Sequence, residues 1–348
     1  MKNKFSKISF IYFLSMCLVG IVFILGYLGI LQNDILSSFL IQIVVMFAVP
    51  MLLYSLIVSK NLKKTFSDFG FKKISSKIII ISILLGFCLF AINCFISNTF
   101  ASIISMFGYE NLPIFSASTA TTPITYKLIL KEFILSAVLP GFCEEFLHRG
   151  LMLNASKKYT NPRYCLIISS LLFGLVHLNI KQFFYAAIMG GFMGYVSLAS
   201  ESIYPAMIIH FMNNFLSNYA YYGSYLNWPF VKLFATIETF LLNNVFYFIT
   251  LVPIFIFMLF GLYFYLVQLI LKDRTKRKVE NLIKSLNLEN LPIQEVQKRV
   301  DEINLILNNK NLTQFNNIKP KFNDKIFIIC SIVLGGLITI STFIWGII

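Results

Sequence analysis

Charge is scarce in this chain. Asp, Glu, Lys and Arg make up 13% of its 348 residues, where a soluble domain carries about 25%. Apolar runs of about 20 residues fill most of the remainder, which excludes an ordinary water-soluble domain and indicates transmembrane helices. Short strands of alternating polarity are missing. Stretches such as Ile78–Phe95 are continuously apolar, which argues against a β-barrel. No internal repeat is visible. The six cysteines (Cys17, Cys88, Cys94, Cys143, Cys165 and Cys330) form no CxxC pair and lie in or beside apolar runs. That argues against a thiolate zinc site and a disulfide framework, and suits small buried apolar side chains.

The runs divide into about eight core spans and one more at the C terminus, near residues 8–31, 35–58, 78–105, 126–154, 164–178, 183–199, 205–222, 241–271 and 326–348. The fold class expected is all-α, polytopic and membrane-embedded. Ile8–Leu31 is too long for the apolar core of a cleaved signal peptide, so it is read as the first span. The fifth run is short, which suggests a helix not fully exposed to lipid. Pro140 and Gly141 are expected to kink the fourth, and Trp228 with its aromatic neighbours looks interfacial. Gly108–Thr125 reads as a polar loop. Gly190, Gly191 and Gly194 need no chemistry, because small residues let membrane helices approach closely. The segment 272–325 is charged and Asn-rich. It reads as two amphipathic helices around Leu291-Pro292, with Val279, Leu282, Ile283 and Leu286 on one stripe and Val296, Val300, Ile303 and Leu307 on the other.

The net charge of +14 raises the question of nucleic acid, but no RNA- or DNA-binding motif accompanies it. In a membrane protein, excess Lys and Arg report topology. With the N terminus inside, most of the 29 basic residues fall on the cytoplasmic side. They cluster before the first span, in Lys60–Lys77, around Lys157, Lys158 and Arg163, and in 272–325. A missed or invented helix would invert every later loop, so the asymmetry supports both the count and the direction. The expected setting is a multi-pass protein of the cell membrane with a cytoplasmic N terminus. Abundant Phe, Ile, Asn and Lys fit an AT-rich bacterial genome.

Against that background, a few polar residues stand out. A charge at the centre of a membrane helix costs about 2.5–3.5 kcal/mol on insertion scales, so such residues need partners and are functional candidates. Glu144 and Glu145 lie in Gly141-Phe142-Cys143-Glu144-Glu145-Phe146-Leu147-His148-Arg149-Gly150. Helical spacing lets Glu145 pair with Arg149, and puts Glu144 one turn from His148. Cys143 points off the Glu144 face by about 100°. His177 ends Phe173-Gly174-Leu175-Val176-His177, and His210 stands one turn from Asn214 in His210-Phe211-Met212-Asn213-Asn214. Each histidine alone would more often be a hydrogen-bonded core residue. Their conjunction on three neighbouring spans, with little other charge, points to a site.

Glu-Glu-x-x-x-Arg, then Phe-x-x-x-His, then His-x-x-x-Asn, in that order on successive helices, resembles the CAAX prenyl protease and bacteriocin-processing family. These are intramembrane glutamic endopeptidases, similar to the type II CAAX prenyl endopeptidases. The resemblance covers about Lys127–Tyr222. It implies that Glu144 and His177 activate a water, that His210 and Asn214 form an oxyanion hole, and that Glu145 and Arg149 support the site through an ion pair. It also implies no cofactor, no metal, a membrane-associated peptide or protein substrate, and membrane lipids as surroundings. The chain then divides into N-terminal helices and loops (1–125), a catalytic core (126–271), a basic cytoplasmic segment (272–325) and a C-terminal helix (326–348). His148 departs from the family, which usually has an aromatic there and to which 272–348 is an extension. Three rival readings compete with a metal-independent peptidase. A zinc protease could use two His and one Glu, but His-Glu-x-x-His is lacking. The cluster could serve packing in a membrane scaffold or bacteriocin-immunity protein. A proton-coupled transporter would be expected to show an inverted repeat.

Overall fold

The structure is a computed structural model, and it describes residues 2–109, 124–288, 293–308, 320 and 322–346. Among them every regular element is helical, and the chain is a polytopic all-α membrane protein. The helices in chain order are α1 (Lys2–Tyr27), α2 (Asp34–Ser59), α3 (Leu62–Asp68), α4 (Ser76–Ser105), α5 (126–155) and α6 (Pro162–Leu175). They continue as α7 (Ile180–Ser200), α8 (Tyr204–Leu226), α9 (Val231–Asn243), α10 (Val245–Leu288), α11 (Ile293–Asn308) and α12 (Phe322–Trp345). Most of the loop expected at Gly108–Thr125 and the break expected at Leu291-Pro292 lie outside the described residues.

Local sequence sets where these helices begin. Side chains of Asn33, Ser75, Thr125, Asn161 and Asn179 each accept a hydrogen bond from a backbone N–H of the first turn. Each satisfies a donor that the helix itself leaves open. Pro162 and Pro205 occupy first-turn positions of α6 and α8, where no N–H is missed. α2 and α5 are not plain α-helices. α2 widens to π geometry over Leu40–Ala48 and Ser55–Ser59, and α5 does so over Ile134–Val138 and Phe146–Ala155. Pro140 and Gly141 stand in the α-helical turn between the two π stretches of α5. The deviation expected there therefore takes the form of π turns on either side of it.

Six of the helices are long and apolar enough to cross a membrane: α1, α2, α4, α7, the 249–284 part of α10, and α12. α5, α6 and α8 fall short of that standard, α6 by length. The last span expected in the core, 241–271, is divided between α9 and α10, and α10 continues through the compositional boundary at 271/272 as one helix. Two apolar clusters hold the bundle together. One joins α1, α2, α5, α6 and α12 through residues such as Ile8, Tyr54, Leu151, Leu172 and Ile328. The other joins α4, α7, α8 and α10 through Leu85, Met189, Ile209 and Ile270. α6 stands between them, with Leu172 in the first cluster and Phe173 in the second. Large apolar side chains also cover the outside, as at Phe246 and Phe257 of α10. Such a surface suits lipid contact and carries no cost there.

The basic segments gather at one end. Lys72, Arg274 and Lys278 surround Glu201, Asp273 accepts from Ser75, and Lys158 pairs with Asp68. Burial works to raise the Glu201 carboxyl, but the hydrogen bond and charge of Lys278, with Arg274 and Lys72, outweigh it and hold the group below its usual range.

Candidate active site

The buried polar residues lie where the two apolar clusters meet. α5 carries Glu144, Glu145, His148 and Arg149, all at least nine-tenths buried. Gly141, one turn before Glu145, is where α8 crosses. A Cβ there would come within 3.2 Å of the Phe211 backbone. Glycine therefore permits the approach that brings His210 to the glutamates. Gly190 of α7 has the same effect on the α6 side, where a Cβ would meet Ser170 at 3.2 Å.

Glu145 and Arg149 form the expected one-turn pair, Nη1 to Oε1 at 2.7 Å, with both side chains fully enclosed. Arg149 is shared more widely than the spacing indicated. Its Nη2 donates to the Gly190 carbonyl oxygen at 3.1 Å, and its guanidinium lies 4.4 Å from the Phe173 ring centre. Phe173 in turn presents its ring to His148, His177 and His210 at steep angles. Oε1 of Glu145 also receives His210 Nδ1 at 2.9 Å. The pair thus fixes the imidazole as well as balancing charge.

Glu144 is held separately. Gln42 of α2 donates from Nε2 to its Oε1 at 2.8 Å. Its Oε2 lies 4.0 Å from His210 Nε2, beyond direct hydrogen-bond reach. His177 does not sit within a helix. It occupies the turn after α6, followed by Leu178 in the left-handed region (φ 52°) and by Asn179, which caps α7. The His177 Nδ1 faces the Phe173 carbonyl oxygen at 2.8 Å, so Nδ1 carries the proton and Nε2 is left as an acceptor. Asn214 donates from Nδ2 to the Ser136 carbonyl oxygen at 2.9 Å.

Glu144, His177, His210 and Asn214 all line one cavity of about 350 Å³. Its walls are rich in amides and hydroxyls, among them Asn93, Ser136, Gln182, Asn213 and Asn218. Glu145 and Arg149 lie behind the wall. His148 is also outside the cavity. Its Nδ1 bonds to the main-chain oxygen of Glu144 at 2.7 Å, and its Nε2 meets the Tyr12 hydroxyl at 2.9 Å. It therefore ties α1 to α5 and leaves the Glu144 carboxylate alone. Cys143 is fully buried in the first apolar cluster. Among the described residues, no three His, Cys, Asp or Glu side chains converge closely enough to hold a metal ion.

Residues 126–216 match the family model for the type II CAAX prenyl endopeptidase Rce1-like family. This is the family that the three motifs resemble, and the matched segment contains all of them. The match supports a CAAX-protease-like membrane peptidase at the level of the family. No curated protein and no solved structure matches the chain. The Rce1-like segment holds every cavity residue singled out from sequence, but other side chains reach the site from outside it. Gln42 and Asn93 come from α2 and α4. Each had a legible signal, a lone amide inside an apolar run, as in Phe39-Leu40-Ile41-Gln42-Ile43-Val44.

Proposed function

We propose that this chain is an intramembrane glutamic endopeptidase that hydrolyses a peptide bond in a membrane-associated peptide or protein, without a metal. The observation that carries the reading is the convergence of Glu144, His177, His210 and Asn214 on one cavity, with Glu144 and His210 each held by a further buried side chain.

The chemistry follows from the donors and acceptors. The Glu144 carboxylate and the free Nε2 of His177 are the two acceptors that can take a proton from a water between them. The water oxygen then attacks the scissile carbonyl carbon. The negative oxygen that forms needs donors. The Asn214 amino group supplies one. His210 supplies the other from Nε2 when its ring carries both protons, since Nδ1 is engaged by Glu145. Collapse of the tetrahedral species breaks the C–N bond, and the proton taken from water passes to the leaving amine. Each oxyanion donor is worth about 2.7–4 kcal/mol, or 10²–10³ in rate, in a comparable protease. In the same reading the chain lies in the cell membrane with its N terminus in the cytoplasm, which the gathering of basic segments at one end supports.

The test is cleavage of a quenched-fluorescent peptide library by the purified full chain in detergent with excess chelator. Wild-type protein is expected to cleave. Glu144→Gln and His177→Ala are expected to lose at least a thousandfold while eluting as folded protein. Full activity in Glu144→Gln, or loss of wild-type activity on chelation, would overturn the reading.

A further inference from the structure

Four polar groups along the cavity wall are linked in one direction. Asn93 on α4 donates from Nδ2 to Oδ1 of Asn213 at 3.1 Å. Asn213 donates from Nδ2 to Oδ1 of Asn214 at 3.1 Å, and Asn214 donates from Nδ2 to the Ser136 carbonyl oxygen at 2.9 Å. The direction is forced by the last member. A main-chain carbonyl only accepts, so Asn214 must turn its NH₂ toward Ser136. Its oxygen then faces Asn213, which must present its own NH₂, and the same requirement passes to Asn93. What is left over at the far end is an acceptor. Asn93 is nine-tenths buried, and its Oδ1 has no donor among the described residues. A buried acceptor without a donor weakens packing, so the position carries a polar group at some cost to the structure.

We propose that Asn93 and Asn213 are positioning residues that lock the amide of Asn214 with its NH₂ group facing the reacting carbonyl, an inference that rests on the proposed role of Asn214 as an oxyanion donor. The NH₂ group carries two protons. One goes to Ser136, and the second remains for the substrate oxygen in the cavity that Asn214 lines. An inverted Asn214 would set its oxygen against both the Ser136 carbonyl and the developing oxyanion. The relay thus decides whether the same side chain stabilises the transition state or repels it. A side chain on α4, outside the Rce1-like segment, thereby controls a group on α8.

The relay makes an unusual ordering testable with the full chain and the library peptide that the wild type cleaves fastest. Asn93→Leu removes the first donor, so that only the Ser136 carbonyl is left to hold the orientation of Asn214. It is expected to lower kcat about tenfold, with KM within twofold and thermal stability equal to or above that of the wild type. Asn93→Asp is nearly isosteric, but at about pH 8 it presents an acceptor to Asn213, which sets the head of the relay against the direction that Ser136 holds. It is expected to lower kcat about a hundredfold, again with KM little changed. A packing role would instead make the isosteric change the milder one and would move activity with the amount of folded protein. If Asn93→Asp does not fold, the kcat of Asn93→Leu per folded molecule decides alone, and a wild-type value overturns the relay. Asn214→Ala separates the two levels. If Asn214→Ala cleaves like the wild type, the oxyanion reading fails and takes the relay with it. If Asn214→Ala is impaired by 10²–10³ and Asn93→Asp is within threefold of the wild type, the relay alone fails.

Discussion

Arg149→Met is the change whose cost the structure specifies most fully. Arg149 and Glu145 are enclosed and bonded at 2.7 Å, one turn apart on α5. Removing the guanidinium strands the Glu145 carboxylate, at about 2.5–3.5 kcal/mol on insertion scales. It also removes the donor to Gly190 and the stacking on Phe173, together about 1–2 kcal/mol. The single variant should therefore lose about 4–5 kcal/mol. Glu145→Met/Arg149→Met strands no charge. It forfeits the Gly190 and Phe173 contacts and the bond to His210, about 2 kcal/mol in all. The double variant should thus be more stable than the single by about 2–3 kcal/mol, or 30- to 150-fold in the folded ratio, although it removes more contacts. SDS titration of the purified chains, followed by circular dichroism and gel filtration, measures this directly. A double variant no more stable than Arg149→Met would refute the view that a stranded carboxylate dominates the loss. It would shift the weight to the contacts with α6 and α7.

His148→Phe puts an aromatic where the family usually has one. It removes the contacts to the Glu144 main chain and to Tyr12, while Tyr12 keeps the Leu172 carbonyl oxygen at 3.3 Å. The same titration should show a loss of about 1–2 kcal/mol with kcat/KM within threefold, whereas a hundredfold drop in activity at unchanged stability would bring His148 into the chemistry. Lys157, beyond the end of α5, is pushed down to about 8 by burial, against a usual 10.5. Between those values the unfolded chain binds more protons than the folded one, so this group makes stability rise as pH increases from about 8 and contributes no slope below it. Thermal unfolding of the wild type and of Lys157→Met at pH 7.5 and 9.5 should show that rise reduced in the variant, and equal slopes in the two proteins would refute it.

What could be read from sequence follows the reach of a helical turn. Glu145–Arg149 is a four-residue spacing, and the bond is there. Glu144–His148 has the same spacing, yet the two side chains do not meet. Side chains on a helix lean toward its N terminus, so the His148 ring arrives at the Glu144 main-chain oxygen while the Glu144 carboxylate leans one step further, to Gln42 and the cavity. Contacts between helices were beyond reach for a different reason. Gln42 and Glu144 are 102 residues apart, and Asn93 and Asn213 are 120 apart. Which helices stand side by side depends on packing across the whole bundle, and a lone amide in an apolar run announces that it needs a partner without naming it. The helices that carry the site also give the weakest membrane signal. α5, α6 and α8 hold or end beside Glu144, His177 and His210, and none meets the length and hydropathy of a free-standing span. In α5 and α8 polar residues lower the hydropathy, whereas α6 is apolar and falls short by length, and neighbours supply the apolar surroundings that lipid gives the other spans. The polar residues of the candidate site therefore hide α5 and α8 from a hydropathy count.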